Sequence, residues 1–409
     1  MPGIWTDRME HATGGALMKT ATSSFTAADV EEMVATRRDL HAHPELAFEE
    51  QRTSALVAEK LKALGLEMRT GVGRTGVLAT VRGARAGRTV LLRADMDALP
   101  IQEENAVPYR SQTPGKMHAC GHDCHTSVLL ALARPFARER DTLRGAVKLC
   151  FQPAEETGGG AEAMIKDGVL EAPKPDAAFG IHVWQDLDLG TIGVTPGPMM
   201  AAVDEFTVTV TGKGAHAAMP HLGVDPVVCL AHVVTALQTI ASRNVSPLES
   251  VVVSVTQLKA GSAFNIIPES AWLNGTVRVF DPTVWAGLPD RFERVVRGVC
   301  EALGCRVEIR YQRCNRPTVN DAGMAALARA AAVDVVGEAN VVDGVRTMGG
   351  EDFSAFLARV PGCFIAVGSR NREKGLTWDH HHPRFDVDEA SLEIGAEVLL
   401  RAARRFLDS

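Results

Sequence analysis

Nowhere in the 409 residues does an apolar run approach the roughly 18 needed to cross a bilayer, so the sequence offers no membrane span. Residues 1–24 have no apolar stretch of the kind a secretory signal carries. They are expected to form a disordered leader, and no role is assigned to them. There is no Lys/Arg-rich block either. The 43 Lys+Arg against 50 Asp+Glu leave a net charge of −7, which argues against a nucleic-acid partner. Arg401, Arg404 and Arg405 sit late in a helical pattern and read as a solvated face. Eight cysteines are too few for a disulfide framework in a chain this long, so a reducing cytoplasm is the expected compartment. Internal repeats and low-complexity segments are absent. The 46% hydrophobic and 23% charged residues fit a globular, enzyme-sized protein of two or three domains.

From Thr26 onward, helical patterns alternate with short apolar runs. Thr26 and Asp29 form a capping-box start for a helix toward Leu40, and a second helix over 49–64 stops at Gly65. Strands are expected at 76–81, 89–92, 146–151 and 177–181, with a helix over 123–138. Strands and helices in this alternation predict an open, mostly parallel α/β sheet. The middle of the chain differs. A half-buried strand at 205–211 precedes a helix opened by Asp225-Pro226 and running to Arg243. Strands at 250–258 and 271–280, a helix over 282–303 and a strand at 306–311 complete the order β-α-β-β-α-β of a ferredoxin-like unit. Residues 200–312 are therefore read as a separate α+β domain inserted into a catalytic domain made of 25–199 and 313–409. Within the last part, helices at 322–336, from Glu351 and from Asp388 bracket a strand at 363–367.

The residues able to do chemistry lie just beyond those strands. Arg93 to Asp97 follow one, Pro153 to Thr157 follow another, and His182 is expected to cap the strand ending at Ile181. His380, His381 and His382 lie in a loop after Val367. Ligand sites in open parallel sheets form outside the carboxyl ends of the strands, so these segments should converge. A further cluster, Met117 to His125, holds three His and two Cys in nine residues. Thiolate, imidazole and carboxylate together suit zinc, or manganese and cobalt with more oxygen ligands. Cys120 and Cys124 could instead form a redox pair, although their three-residue spacing is not that of the usual two-residue motif. The adjacent acids Glu155 and Glu156 could reach one site only on irregular backbone, which Pro153 and Gly158 to Gly160 supply. One carboxylate would then stay ionised on a metal while its neighbour is tuned as a general base.

Taken in order, these motifs resemble the metal-dependent amidohydrolases of the hippurate hydrolase, aminoacylase and auxin-conjugate hydrolase type, a branch of the carboxypeptidase-like dinuclear metallohydrolases. The resemblance runs from about residue 37 to residue 389. It is carried by Arg38 to His41, Arg93 to Pro100, Met117 to His125, Pro153 to Glu156 and Gly180 to His182. Gly212 to His216, Asn265 to Pro268, Gly275 to Arg278, Gly349 to Phe353 and His381 to Phe385 continue it. It implies two divalent ions, manganese or zinc with cobalt also admissible, held by Cys120, His122, Glu156, His182 and His381. It further implies Glu155 as the general base and Asp97 as the carboxylate that orients a ligand. His216 would steady the oxyanion, across a dimer in one reading, while Asn265 and Arg278 would grip the substrate carboxylate. The inserted domain would act as a lid and make a homodimer or higher homo-oligomer. Cys124, ahead of His125, and Gln185, where relatives often carry Pro, depart from the family pattern.

The function expected from these readings is metal-dependent hydrolysis of N-acyl amino acids to a carboxylic acid and a free amino acid. A dipeptidase or N-carbamoyl amino acid hydrolase would use the same site. A metal-binding or thiol-redox protein is the alternative of another class.

Overall fold

The computed structural model describes residues 23–409. The expected leader therefore lies outside the described residues except for Ser23 and Ser24. Both bond to the last helix: the Ser23 hydroxyl donates to Glu393 at 2.8 Å, and Ser24 N–H donates to Glu397.

An eight-stranded sheet forms the larger layer. Its strands, in spatial order, are Glu67–Val72, Gly76–Arg82, Arg144–Gln152, Arg85–Asp95, Ala177–Asp188, Gly362–Arg370, Ile192–Gly193 and Val341–Val342. The four in the middle, from Arg144–Gln152 to Gly362–Arg370, run parallel. Antiparallel pairs occur only toward the edges. Central parallel strands are buried on both faces, and the sequence obeys this. Val90, Leu92, Val147 and Leu149 pack on the side of the long helices Ala27–Ala42, His122–Arg138, Ala322–Val336 and Ala390–Asp408. Leu91, Cys150, Ala178 and Phe364 pack on the other side, under the short helices Gly160–Lys166 and Ser354–Leu357.

A second, wholly antiparallel sheet is built from Ala202–Thr211, Val251–Ala260, Ser270–Val279 and Arg306–Asn315, in the spatial order second, third, first, fourth. Phe206, Val208, Leu273 and Val277 on one face share a core with helices Pro226–Arg243 and Leu288–Ala302. The opposite face presents Thr207, Thr209, Asn274, Glu308 and Arg310, with Trp272 among them, and among the described residues no helix shares a core with it. Pro226–Arg243 is long and apolar enough for a membrane span by length and composition alone, but its apolar stripe is spent on this sheet.

Several local expectations change. The strand expected to end at Ile181 continues to Asp188, so His182 lies within it rather than capping it. The helix expected over 282–303 breaks at Gly287, where Pro289 at the second helical position has no N–H to continue the first segment. The helix expected from Glu351 starts only at Ser354, because the Glu351 carboxylate takes the Phe353 N–H and an arginine instead. Arg401, Arg404 and Arg405 are not simply solvated: they pair with Glu397, Glu139 and Asp334. All eight cysteines are free thiols.

Candidate metal centre

Three loops leave the carboxyl ends of the parallel strands and meet. The turn after Arg144–Gln152 places Ala154 at φ 53°, a left-handed conformation that a non-glycine residue rarely takes. That kink lets both Glu155 and Glu156 face the same space. Asp97 holds the turn: its Oδ1 accepts the Glu155 N–H and its Oδ2 the Glu156 N–H, each at 3.0 Å. Asp97 also meets His122, whose Nδ1 is 2.9 Å from its backbone oxygen and 3.3 Å from Oδ1. With Nδ1 committed there, Nε2 is the ring nitrogen left to face the other side chains.

That Nε2 is buried with no hydrogen-bond partner, and so is Glu156 Oε1, 4.0 Å away. Cys120 Sγ stands 3.4 Å from His182 Nε2, and His381 Nε2 stands 3.4 Å from Glu156 Oε1. Two ligands bonded to one ion at about 2.0–2.3 Å lie roughly 3–4 Å apart, so these spacings fit. Cys120 with His122 and His182, and Cys120 with Glu156 and His381, are each close enough to close around an ion. His381 reaches in from a backbone at φ 66°, pinned by its N–H to the Ala119 carbonyl at 2.7 Å.

Electrostatics point the same way. Burial, then His125 and His380, hold His182 well below its ordinary pKa, so its Nε2 is a free donor. Burial, then the Glu156 and Glu155 charges, push the Cys120 thiol up. Burial followed by Glu351 and Glu156 likewise raises Glu155 well above the carboxylate range. Burial lowers His122, but Asp95 and Asp97 override it and hold it at about 10. The site thus carries more negative charge than its side chains offset, and protons on His122, Glu155 and Cys120 do the work that cations would do. Orphaned donors, ligand spacing and excess negative charge all fit a divalent-metal centre.

Not every histidine of the cluster takes part. His125 accepts the Val183 N–H on Nε2 at 2.9 Å and gives Nδ1–H to Asp95 at 2.6 Å, so both nitrogens are used structurally. Cys124 is buried away from the cleft. Gln185, where the sequence departs from its relatives, donates to the Asp386 and Trp378 carbonyls and accepts from Ser369, which ties down the histidine loop. The sequence placed Arg93 to Asp97 and Gly349 to Phe353 among its motifs but gave Arg93, Glu351 and Asp352 no role; they crowd Glu155 from behind, with the Asp352 N–H 3.4 Å from Glu155 Oε1.

A buried support lies behind the metal loop. Arg37 bonds Asp123 and Asp386 at 2.8 and 2.7 Å, and His41 is 2.8 Å from Asp123 and 3.3 Å from Glu103. Burial and Arg37 pull His41 down, yet Asp123 and Glu103 hold it at about 8, above its ordinary 6.5. A raised histidine contributes stability in full below pH 6.5 and loses it as pH rises through 8. A shift of that size corresponds to about 2 kcal/mol. Urea midpoints between pH 6 and 9 should fall more steeply with rising pH in the wild type than in His41→Gln.

Cys120, Glu155, Glu156, His182 and His381 line a cleft of about 480 Å³, while His122 is wholly buried; its far wall is Val203, Arg278, Cys314 and Asn315 of the second sheet. Arg278 donates to the Thr276 hydroxyl and the Met348 carbonyl and makes no ion pair among the described residues. The structure thus brings together Cys120, His122, Glu155, Glu156, His182, His381, Asp97 and Arg278. His216 and Asn265 are exposed and do not line this cleft.

The profile of Peptidase family M20/M25/M40 matches residues 91–405. The chain is 47% identical over 290 residues to an N-acyl-L-amino acid amidohydrolase of Geobacillus stearothermophilus, covering 71% of this chain and 78% of that one. It is 40% identical over 379 residues to an N-acetyl-L-cysteine deacetylase of Bacillus subtilis, covering 93% and 89%. Among solved structures, a dinuclear metal-binding peptidase of the M20 family from Bacillus subtilis superposes with TM-score 0.82 at 33% identity, covering 94% and 99%.

Proposed function

The chain belongs to peptidase family M20/M25/M40, and from that premise we propose that it is an amidohydrolase that cleaves N-acyl amino acids into a carboxylic acid and a free amino acid. The observation that carries the reading is a single cleft holding a divalent-metal donor set, a displaced carboxylate at Glu155 and an arginine without an acidic partner. The names of the relatives agree with it.

Cys120, His122, Glu156, His182 and His381 would hold two divalent ions, with manganese, zinc and cobalt all compatible with the donor set. Such ions, when bound, polarise an amide carbonyl and acidify water. Glu155 takes the proton of the attacking water and returns it to the departing amine, a task suited to a carboxyl whose basicity burial has raised. Asp97 fixes both the His122 ring and the Glu155–Glu156 turn. Arg278 pairs with the carboxylate of the amino-acid half. Its replacement in Arg278→Met should raise KM and lower kcat/KM about 10–100-fold, with kcat little changed, since a charge-assisted bond is worth roughly 1.5–3 kcal/mol.

Residues 200–312 act as a lid and dimerisation domain. Phe264, Ile266, Met219 and Leu222 are exposed beside His216 and Asn265, an apolar setting suited to a second copy. His216 and Asn265 then serve the partner's cleft, His216 at the oxyanion. Eight free thiols suit a reducing compartment such as the cytoplasm.

Hydrolysis of N-acetyl, N-benzoyl, N-carbamoyl and indole-acyl amino acids and of dipeptides, by protein loaded with each metal in turn, tests the reading. Turnover confined to dipeptides or N-carbamoyl compounds would replace the N-acyl assignment with one of those.

A further inference from the structure

One strand of the second sheet is bulged where it reaches the cleft. Along Arg306–Asn315, Arg313 faces Asp204 but Asn315 faces Val203, so Cys314 is an extra residue in the register. Bulges re-aim side chains, and here both Cys314 and Asn315 end on the cleft wall. Val203 is also the partner of Arg278 on its other side. Arg278, Val203 and Asn315 therefore form one row across three strands. Residues directly opposite one another share a face, and Val277 and Val279 are buried on the helix side. The row thus looks away from the helices and into the cleft, and all three residues line it.

The Asn315 carboxamide is closely fitted at this position. A Cβ on Gly158, which stands at φ 68° in the turn after Glu155–Glu156, would come within 2.7 Å of Asn315 Oδ1. A Cβ on Gly350 would lie 3.4 Å from Nδ2 and 2.1 Å from Val203. Glycine at both places lets the carboxamide lie against the catalytic turn. Yet it makes no hydrogen bond to any described residue, so a donor and an acceptor are presented to the cleft together.

We propose that Asn315 is a specificity-determining residue that hydrogen-bonds the side chain of the substrate's amino-acid half, so that the cleft favours N-acyl derivatives of carboxamide amino acids, glutamine and asparagine. The inference rests on the N-acyl amino acid reading. Strands are about 4.8 Å apart, which sets the Arg278 and Asn315 backbones roughly 10 Å from each other. A glutamine spans roughly 5 Å between its α-carboxylate and its carboxamide carbon, over four carbon–carbon bonds. The reach of the arginine side chain closes the rest. The α-carboxylate meets Arg278, the methylenes cross Val203, and the two carboxamides pair head to tail, each donating one N–H and accepting one. A site built to pair a polar group rejects an analogue that lacks it, because its own donor and acceptor are then left unmet.

The test compares N-acetyl-L-glutamine with N-acetyl-L-methionine, which is similar in length and apolar. Metal-loaded wild type should favour the glutamine compound at least tenfold in kcat/KM, and Asn315→Leu should bring the ratio to within about twofold of unity. A wild type without that preference, or a variant that keeps it, overturns the proposal. Calorimetric binding of the same two compounds to the metal-loaded Glu155→Gln protein, with and without Asn315→Leu, reads the discrimination without turnover. If wild type hydrolyses neither these compounds nor any N-benzoyl or indole-acyl amino acid, the N-acyl reading fails. The binding ratio then decides the role of Asn315 separately: a tenfold difference lost in Asn315→Leu supports it, and equal affinities overturn it.

Discussion

Glu155→Gln should lower kcat by about 10²–10⁴ while both metals stay bound, the range that general acid–base groups contribute. Glutamine preserves shape, and the backbone N–H that Asp97 holds at 3.0 Å is untouched, so the turn keeps its form. Glu156, His182 and His381 retain their spacing. What disappears is a carboxylate that burial, Glu351 and Glu156 make a stronger base. Metal analysis alongside steady-state kinetics separates two roles. Loss of one metal equivalent would make Glu155 a ligand, and a near-wild-type rate would remove it from the chemistry.

Arg93→Ala should cost about 3–5 kcal/mol of folding stability, the usual result of removing one partner from a buried ion network. Arg93 is wholly buried, and its guanidinium meets Asp95 at 2.6 Å, Glu351 at 2.8 Å, Asp352 at 3.1 Å and Gln152 at 2.8 Å. No other described cation bonds Glu351 or Asp352. Burial raises Asp352 to about 7 even with Arg93 in place, and Glu351 pushes in the same direction. Without the arginine, three carboxyls would have to take up protons or stay charged in a dry interior. Denaturant unfolding of the metal-free protein measures the loss. A change below about 1 kcal/mol would mean the acids find other partners, contrary to the geometry.

Local chemistry made much of this visible in the sequence. Thr26 and Asp29 form the expected capping box, Asp225-Pro226 opens a helix to Arg243, and Ala322–Val336 has the expected ends. The four parallel strands emerge from their apolar runs, and the segments beyond them do meet. Patterning failed where long-range contacts set the outcome. The strand reaching Asp188 pairs with Gly362–Arg370, nearly two hundred residues away, and that ladder carries it past Ile181. Glu351 forgoes a helix because Arg93, on a distant strand, claims its carboxylate. Asn315 was invisible as a site residue because a bulge shifts its register, and one residue of slip reverses a strand's faces. The roles of His125 and His182 separate only once Val183 is seen to donate to one ring and accept from the other.

The most direct measurement is a titration of metal-stripped protein with manganese or zinc while hydrolysis of an N-acyl amino acid is followed. The expected result is a negligible rate without metal, a rise that saturates at two equivalents per chain, and no rise in Glu155→Gln at the same occupancy. Full activity in stripped protein, or saturation with metal bound and every N-acyl amino acid left intact, would contradict it.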